Sequence, residues 1–115
     1  MIFINKSGEG SDSRGFSFTE ENNSGEAAYF TLKGHVGINE ASYMEDTLEK
    51  TAQSGCNRIT INMCLVNSFS SAGIRVILAM YKKLKSMGGK LQIDNPSENV
   101  RNVIGLTALD ELLLR

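Results

Sequence analysis

The fold turns on one stretch: Arg58-Ile59-Thr60-Ile61-Asn62-Met63, then the serine-rich Asn67-Ser68-Phe69-Ser70-Ser71, then residues 72–89. Its first six residues alternate apolar with polar side chains, the two-residue period of a half-buried strand. Beyond Ser71 the period changes. Ile74, Ile77, Leu78, Tyr81 and Leu84 recur at intervals of three and four, a wide apolar helix face, and Gly88-Gly89 stops it.

The same succession continues on both sides. Downstream, Leu91-Gln92-Ile93 reads as a strand, and Asn95-Pro96-Ser97-Glu98 as a helix start. Asn95 is the expected cap, Pro96 the first helical residue, and Glu98 reaches back in a capping-box arrangement. Val100, Val103 and Ile104 form that helix's buried side, and Leu109, Leu112 and Leu113 suggest a last helix. Upstream, Asn39 is placed to cap a helix with Ala41, Met44, Leu48 and Ala52 facing inward. Asp46 and Lys50 sit four apart on its outer side, and Gly55 ends it. Before it, Phe16 and Phe18 alternate with Ser17 and Thr19, and residues 28–32 make a second strand, antiparallel across a turn at residues 21–25. Residues 1–4 read as an edge strand or a loose end.

Helical crossovers require the later strands to be parallel, with right-handed connections. The expected fold is α/β, a mixed, mostly parallel sheet of four to five strands with about four helices, as one domain over 1–115. In such sheets functional groups gather at the carboxyl ends of the strands. Residues 34–39 and 67–73 both reach that edge.

Composition excludes several functions. The 115 residues carry 12 Lys plus Arg against 13 Asp plus Glu, a net charge of −1, so no strong positive field invites nucleic acid. No apolar run approaches the roughly 20 residues of a membrane span, and the start lacks signal-peptide features, so a cytoplasmic protein without direct membrane insertion is expected. The 2 cysteines, Cys56 and Cys64, lack metal-site spacing and read as small buried hydrophobes. The 1 histidine, His35, sits in Gly34-His35-Val36-Gly37 at a strand end, with no Gly-x-Ser-x-Gly elbow in the chain. No phosphate-cradling loop is present: residue 13, where a third glycine would follow Gly8 and Gly10, is serine, and Gly88-Gly89-Lys90 lacks P-loop spacing. No catalytic residues, metal site or cofactor are expected, which favours a binding domain.

Ile59 to Met63 followed by Ser70-Ser71-Ala72-Gly73-Ile74-Arg75-Val76-Ile77-Leu78 resembles the strand–loop–helix of STAS domains of the anti-sigma factor antagonist, sporulation antagonist-like kind. That family reads Asp-Ser-Ser-Gly-Leu/Ile-Gly-Val-Leu here. The resemblance continues through Tyr81-Lys82-Lys83-Leu84-Lys85, Gly88-Gly89-Lys90-Leu91 and Asn95-Pro96-Ser97 into Val103-Ile104-Gly105-Leu106-Thr107-Ala108-Leu109. Upstream, Leu32-Lys33-Gly34-His35-Val36 is similar to the family's Leu-x-Gly-Glu-Leu, and coverage runs over residues 16–113.

The resemblance implies a bacterial regulator of transcription that binds an anti-sigma factor kinase or other regulatory protein, and a phosphoacceptor serine. By position the acceptor is Ser71, with Ser70 as fallback. Either serine also suits a plain helix cap. Gly37, Asn39, Ser68, Ser70, Ser71 and Arg75 are the expected partner-binding residues. Three departures make this edge neutral: the aspartate before the acceptor is Ser70, a second is Gly37, and the family's Asp-Leu after the third strand is Leu65-Val66. Arg75 replaces a common glycine and opens a basic run with Lys82, Lys83, Lys85 and Lys90, which reads as a solvated helix face or a dock for an acidic surface. A scaffold subunit of a lipid or solute transport complex is the alternative, since a scaffold needs no acidic phosphoacceptor environment.

Overall fold

The computed structural model describes residues 15–106. Four strands and three helices follow one another in the described residues: β1 (Ser17–Asn23), β2 (Ala27–Val36), α1 (Ile38–Gln53), β3 (Arg58–Phe69), α2 (Ser71–Ser86), β4 (Lys90–Asp94) and α3 (Glu98–Leu106). The edge strand expected at residues 1–4 and the last helix around Leu109, Leu112 and Leu113 lie outside the described residues. The sheet order is β1-β2-β3-β4. β1 pairs with β2 antiparallel, while β2–β3 and β3–β4 are parallel, as helical crossovers demand.

One face of the sheet is apolar. Phe30, Leu32 and Val36 from β2, Ile59, Ile61 and Met63 from β3, and Leu91 and Ile93 from β4 are all buried. Met44 and Leu48 of α1, Ile77, Met80 and Leu84 of α2, and Val100 and Ile104 of α3 complete one core with them. Each such side chain contributes roughly 1.5–3 kcal/mol by leaving water. The opposite face is half-exposed and polar. There the Tyr29 hydroxyl donates to Asp94 Oδ2 at 2.8 Å, reaching from β2 to β4 across β3.

β3 is longer than its alternation suggested, and its register explains why. It advances from Asn62 to Leu65 while β2 advances only from Thr31 to Lys33, and from Val66 to Ser68 while β2 advances from Gly34 to His35. Two bulges therefore carry the strand through the segment read as a serine-rich loop. They turn Cys64 and Leu65 outward and bring Val66 and Phe69 back into the core. Cys64 is thus exposed, not the buried hydrophobe expected; Cys56 is buried, which pushes its thiol pKa up.

The helix ends also differ from expectation. Gly37, not Asn39, is the cap residue of α1, and its N–H donates to the Glu40 carboxylate at 3.1 Å. Ser97, not Asn95, caps α3: its hydroxyl accepts from the Val100 N–H at 3.3 Å. Asn95 instead takes a positive φ of 48°, a conformation asparagine tolerates in tight turns. Past α2, Gly89 lies so close to the preceding loop that a Cβ there would sit 1.7 Å from the Asn57 carbonyl oxygen.

Candidate functional site

β2 and β3 run parallel, so both deliver their chains to helices at the same edge. The Ser70 N–H donates to the Val36 carbonyl at 2.9 Å, which fixes the end of β3 beside the start of α1. His35 and Ser68 are register partners on the two strands, and Nδ1 of His35 hydrogen-bonds the Ser68 hydroxyl. This serine–histidine contact is a cross-strand pair of the kind that stabilises sheets. A Cβ at Gly37 would lie 3.0 Å from His35 Nε2 and 3.2 Å from Glu40 Oε1. The imidazole therefore occupies the space beside position 37, and glycine accommodates it there.

Ser70 is the cap of α2. Its side chain accepts from the Gly73 N–H at 3.3 Å while its carbonyl accepts from Ile74. Ser71 is the first residue inside the helix, exposed, with a hydroxyl free of hydrogen bonds among the described residues. Gly73 allows this start to press on the strands: a Cβ there would meet Phe69 Cε1 at 3.0 Å and Val36 Cγ1 at 3.2 Å. The first turn of α2 holds no acidic residue. Arg75 is exposed one turn further on. Asn39 is exposed in the first turn of α1.

Gly37, Ser68, Ser70 and Ser71 are therefore brought together at one edge, with Asn39 and Arg75 on the first turns of the two helices leaving it. Sequence reasoning missed Ile38 and Asn99 as neighbours, and the exposure of Leu65. Ile38 follows Gly37 and is 77% exposed. It lines a groove of ≈ 310 Å³ between α1 and α2, together with Ala72 and Arg75. Leu65 is half exposed because the first bulge turns it out. Asn99 of α3 donates through Nδ2 to the Asn67 carbonyl, a contact without any local sequence signal.

Among the described residues no three His, Cys, Asp or Glu side chains converge as a metal site, and no helix is long and apolar enough to cross a membrane.

The family model described as "Mlab, STAS domain" matches residues 19–115. The anti-sigma-B factor antagonist of Bacillus subtilis (strain 168) is 25% identical over 84 residues, covering 71% of this chain and 74% of that protein. Among solved structures, the anti-sigma factor antagonist SpoIIAA in its unphosphorylated form superposes with a TM-score of 0.79 at 20% identity, covering 86% of each chain. An anti-sigma factor antagonist from Mycobacterium paratuberculosis gives 0.76 at 21% identity, over 90% of this chain and 88% of that one. With the carboxyl-edge geometry and the mixed four-stranded sheet, these matches show that the chain belongs to the STAS domain family, as a divergent relative of the anti-sigma factor antagonists.

Proposed function

We propose that the chain is a non-enzymatic cytoplasmic regulator that binds an anti-sigma factor of the serine-kinase type through its Ser71 edge, under control by phosphorylation of Ser71. The division of labour between the two serines carries this reading. Ser70 supplies the cap, so the Ser71 hydroxyl is exposed at a helix start and unbonded among the described residues. A phosphoryl group there adds about −1.5 to −2 charges beside the positive end of the helix dipole. The fold accommodates that charge while the docking surface changes sign. Gly37, Asn39, Ser68, Ser70 and Arg75 share this surface.

The test is calorimetry of two variants against the isolated partner. Ser71→Asp is expected to weaken binding at least tenfold, about 1.4 kcal/mol, because a docked charge must be desolvated. Ser71→Ala stays within a factor of about three, since it removes no bond of the fold. Adding Arg75→Gly to Ser71→Asp weakens binding further, because Arg75 shields the charge. Equal affinities for the Asp and Ala variants would sink the switch.

The loss of the family's acidic residues at positions 37, 65 and 70 favours one other reading, a scaffold subunit of a larger transport assembly. Neither Gly37, Leu65, Ser70 nor the first turn of α2 supplies the carboxylates that the antagonist family places around its acceptor. Intact-mass analysis of the protein from its native host separates the two. A phosphate on Ser71 supports the antagonist; an unmodified mass through several growth states, with co-purification of an ATPase subunit, supports the scaffold.

A further inference from the structure

The groove between α1 and α2 has walls of opposite charge. Ile38, Ala41 and Glu45 line the α1 wall; Ala72, Arg75 and Ala79 line the α2 wall. Each set follows helical spacing, so each wall is one continuous stripe. The two helices leave the same sheet edge and run the same way, which sets Ile38 level with Ala72 and Glu45 about one turn beyond Arg75. Further along, Glu49 and Lys83 already close an ion pair between these helices. Glu45 and Arg75 make no ion pair among the described residues.

We propose that this groove is a self-association face, occupied by the same groove of a second copy of the chain. A partner of uniform charge would be matched by walls of one sign. Walls of opposite sign around an alanine-lined centre are complementary to their own two-fold image. With the axis along the groove, α1 of each copy lies over α2 of the other. Each Glu45 then reaches the Arg75 of the second copy across one turn, a step an arginine side chain spans. The 77% exposed Ile38 comes over the Ala72 of the second copy, into space that this small side chain leaves open. A net charge of −1 sets no repulsion between copies. The patch is smaller than the roughly 20–30 residues a side of a standard interface, so the dimer is weak and concentration-dependent.

The experiment uses the protein alone, so its outcome is separate from that of the kinase reading. Sedimentation velocity is run on the wild-type chain, on Glu45→Arg, on Arg75→Glu, and on the two variants mixed in equal amounts. Each single reversal sets like charges against each other at both contacts and is expected to raise the dissociation constant at least tenfold. In the mixture one chain carries two positive contacts and the other two negative, so affinity returns to within about threefold of wild type. Ile38→Asp gives a second route: an acidic residue suits the first turn of α1, yet it too raises the constant at least tenfold. A wild-type chain that stays monomeric to about 1 mM overturns the proposal and leaves the groove to a different partner. So do single reversals or Ile38→Asp that dimerise like wild type, or a mixture of folded variants that fails to recover.

Discussion

At Ser70 the hydroxyl oxygen accepts from a backbone N–H of the first turn of α2, whereas the Ser71 hydroxyl has no such bond among the described residues. The two serines should therefore separate cleanly in stability. Ser70→Ala is expected to cost about 1 kcal/mol, because it strands a helix N–H that the cap satisfied. Ser71→Ala should change stability by less than about 0.5 kcal/mol, the usual range for an exposed site without a special contact. Urea denaturation of both variants checks this. Equal losses would mean that the capping duty is shared. The sequence placed a cap at this pair of residues but left open which serine fills it. The choice follows from pairing, because the Ser70 N–H is still bonded to Val36 and the helix starts one residue later.

At the scale of elements, α2 shows how a buried stripe can lie to one side of the apolar pattern. Ile74, Ile77, Leu78, Tyr81 and Leu84 were the expected face. Gly73, Val76, Ile77, Met80 and Leu84 are the buried residues, while Ile74, Leu78 and Tyr81 are only half-buried. The helix packs on both the sheet and α1, and that double contact rotates the inward stripe toward Val76 and Met80. Met80→Ala should consequently cost about 2–4 kcal/mol by leaving a cavity at a 1% exposed position. Leu78→Ala should cost about 1 kcal/mol, since its surroundings already admit water. Thermal or urea unfolding of the two variants decides between the expected and the observed face.

Across the whole molecule, the Tyr29–Asp94 bond ties β2 to β4 over the polar side of the sheet. Burial raises the Tyr29 pKa above its ordinary value, and the hydrogen bond to Asp94 and that carboxylate's charge add to the effect. A folded-state value above the unfolded one means that the protonated phenol is favoured by folding. Its stabilisation is complete below the ordinary tyrosine value near 10 and is lost as pH rises through the higher folded value. Tyr29→Phe should therefore lower stability at neutral pH by about 1 kcal/mol, through loss of one hydrogen bond. It should also flatten the fall in stability above about pH 10 relative to wild type. Urea midpoints measured from pH 7 to 11 test the sign, and a variant whose profile runs parallel to wild type above pH 10 would refute the assignment.

The order of elements, the parallel pairing of the later strands and the meeting of residues 34–39 and 67–73 at one sheet edge were all legible in the chain. Those features rest on local signals: the change from a two-residue to a 3.6-residue period, glycines that stop helices, and small polar residues where helices begin. The two bulges of β3 were not legible. They exist because a neighbouring strand sets the register, and that register turns Cys64 and Leu65 outward while returning Phe69 to the core. The caps at Gly37 and Ser97, the His35–Ser68 pair and the Asn67–Asn99 contact likewise depend on where adjacent elements end. The oppositely charged groove between α1 and α2 also belongs to the tertiary structure. Its walls are helix stripes separated by a whole strand in sequence, and only the packing of both helices on one sheet sets Glu45 and Arg75 on opposite walls of one groove.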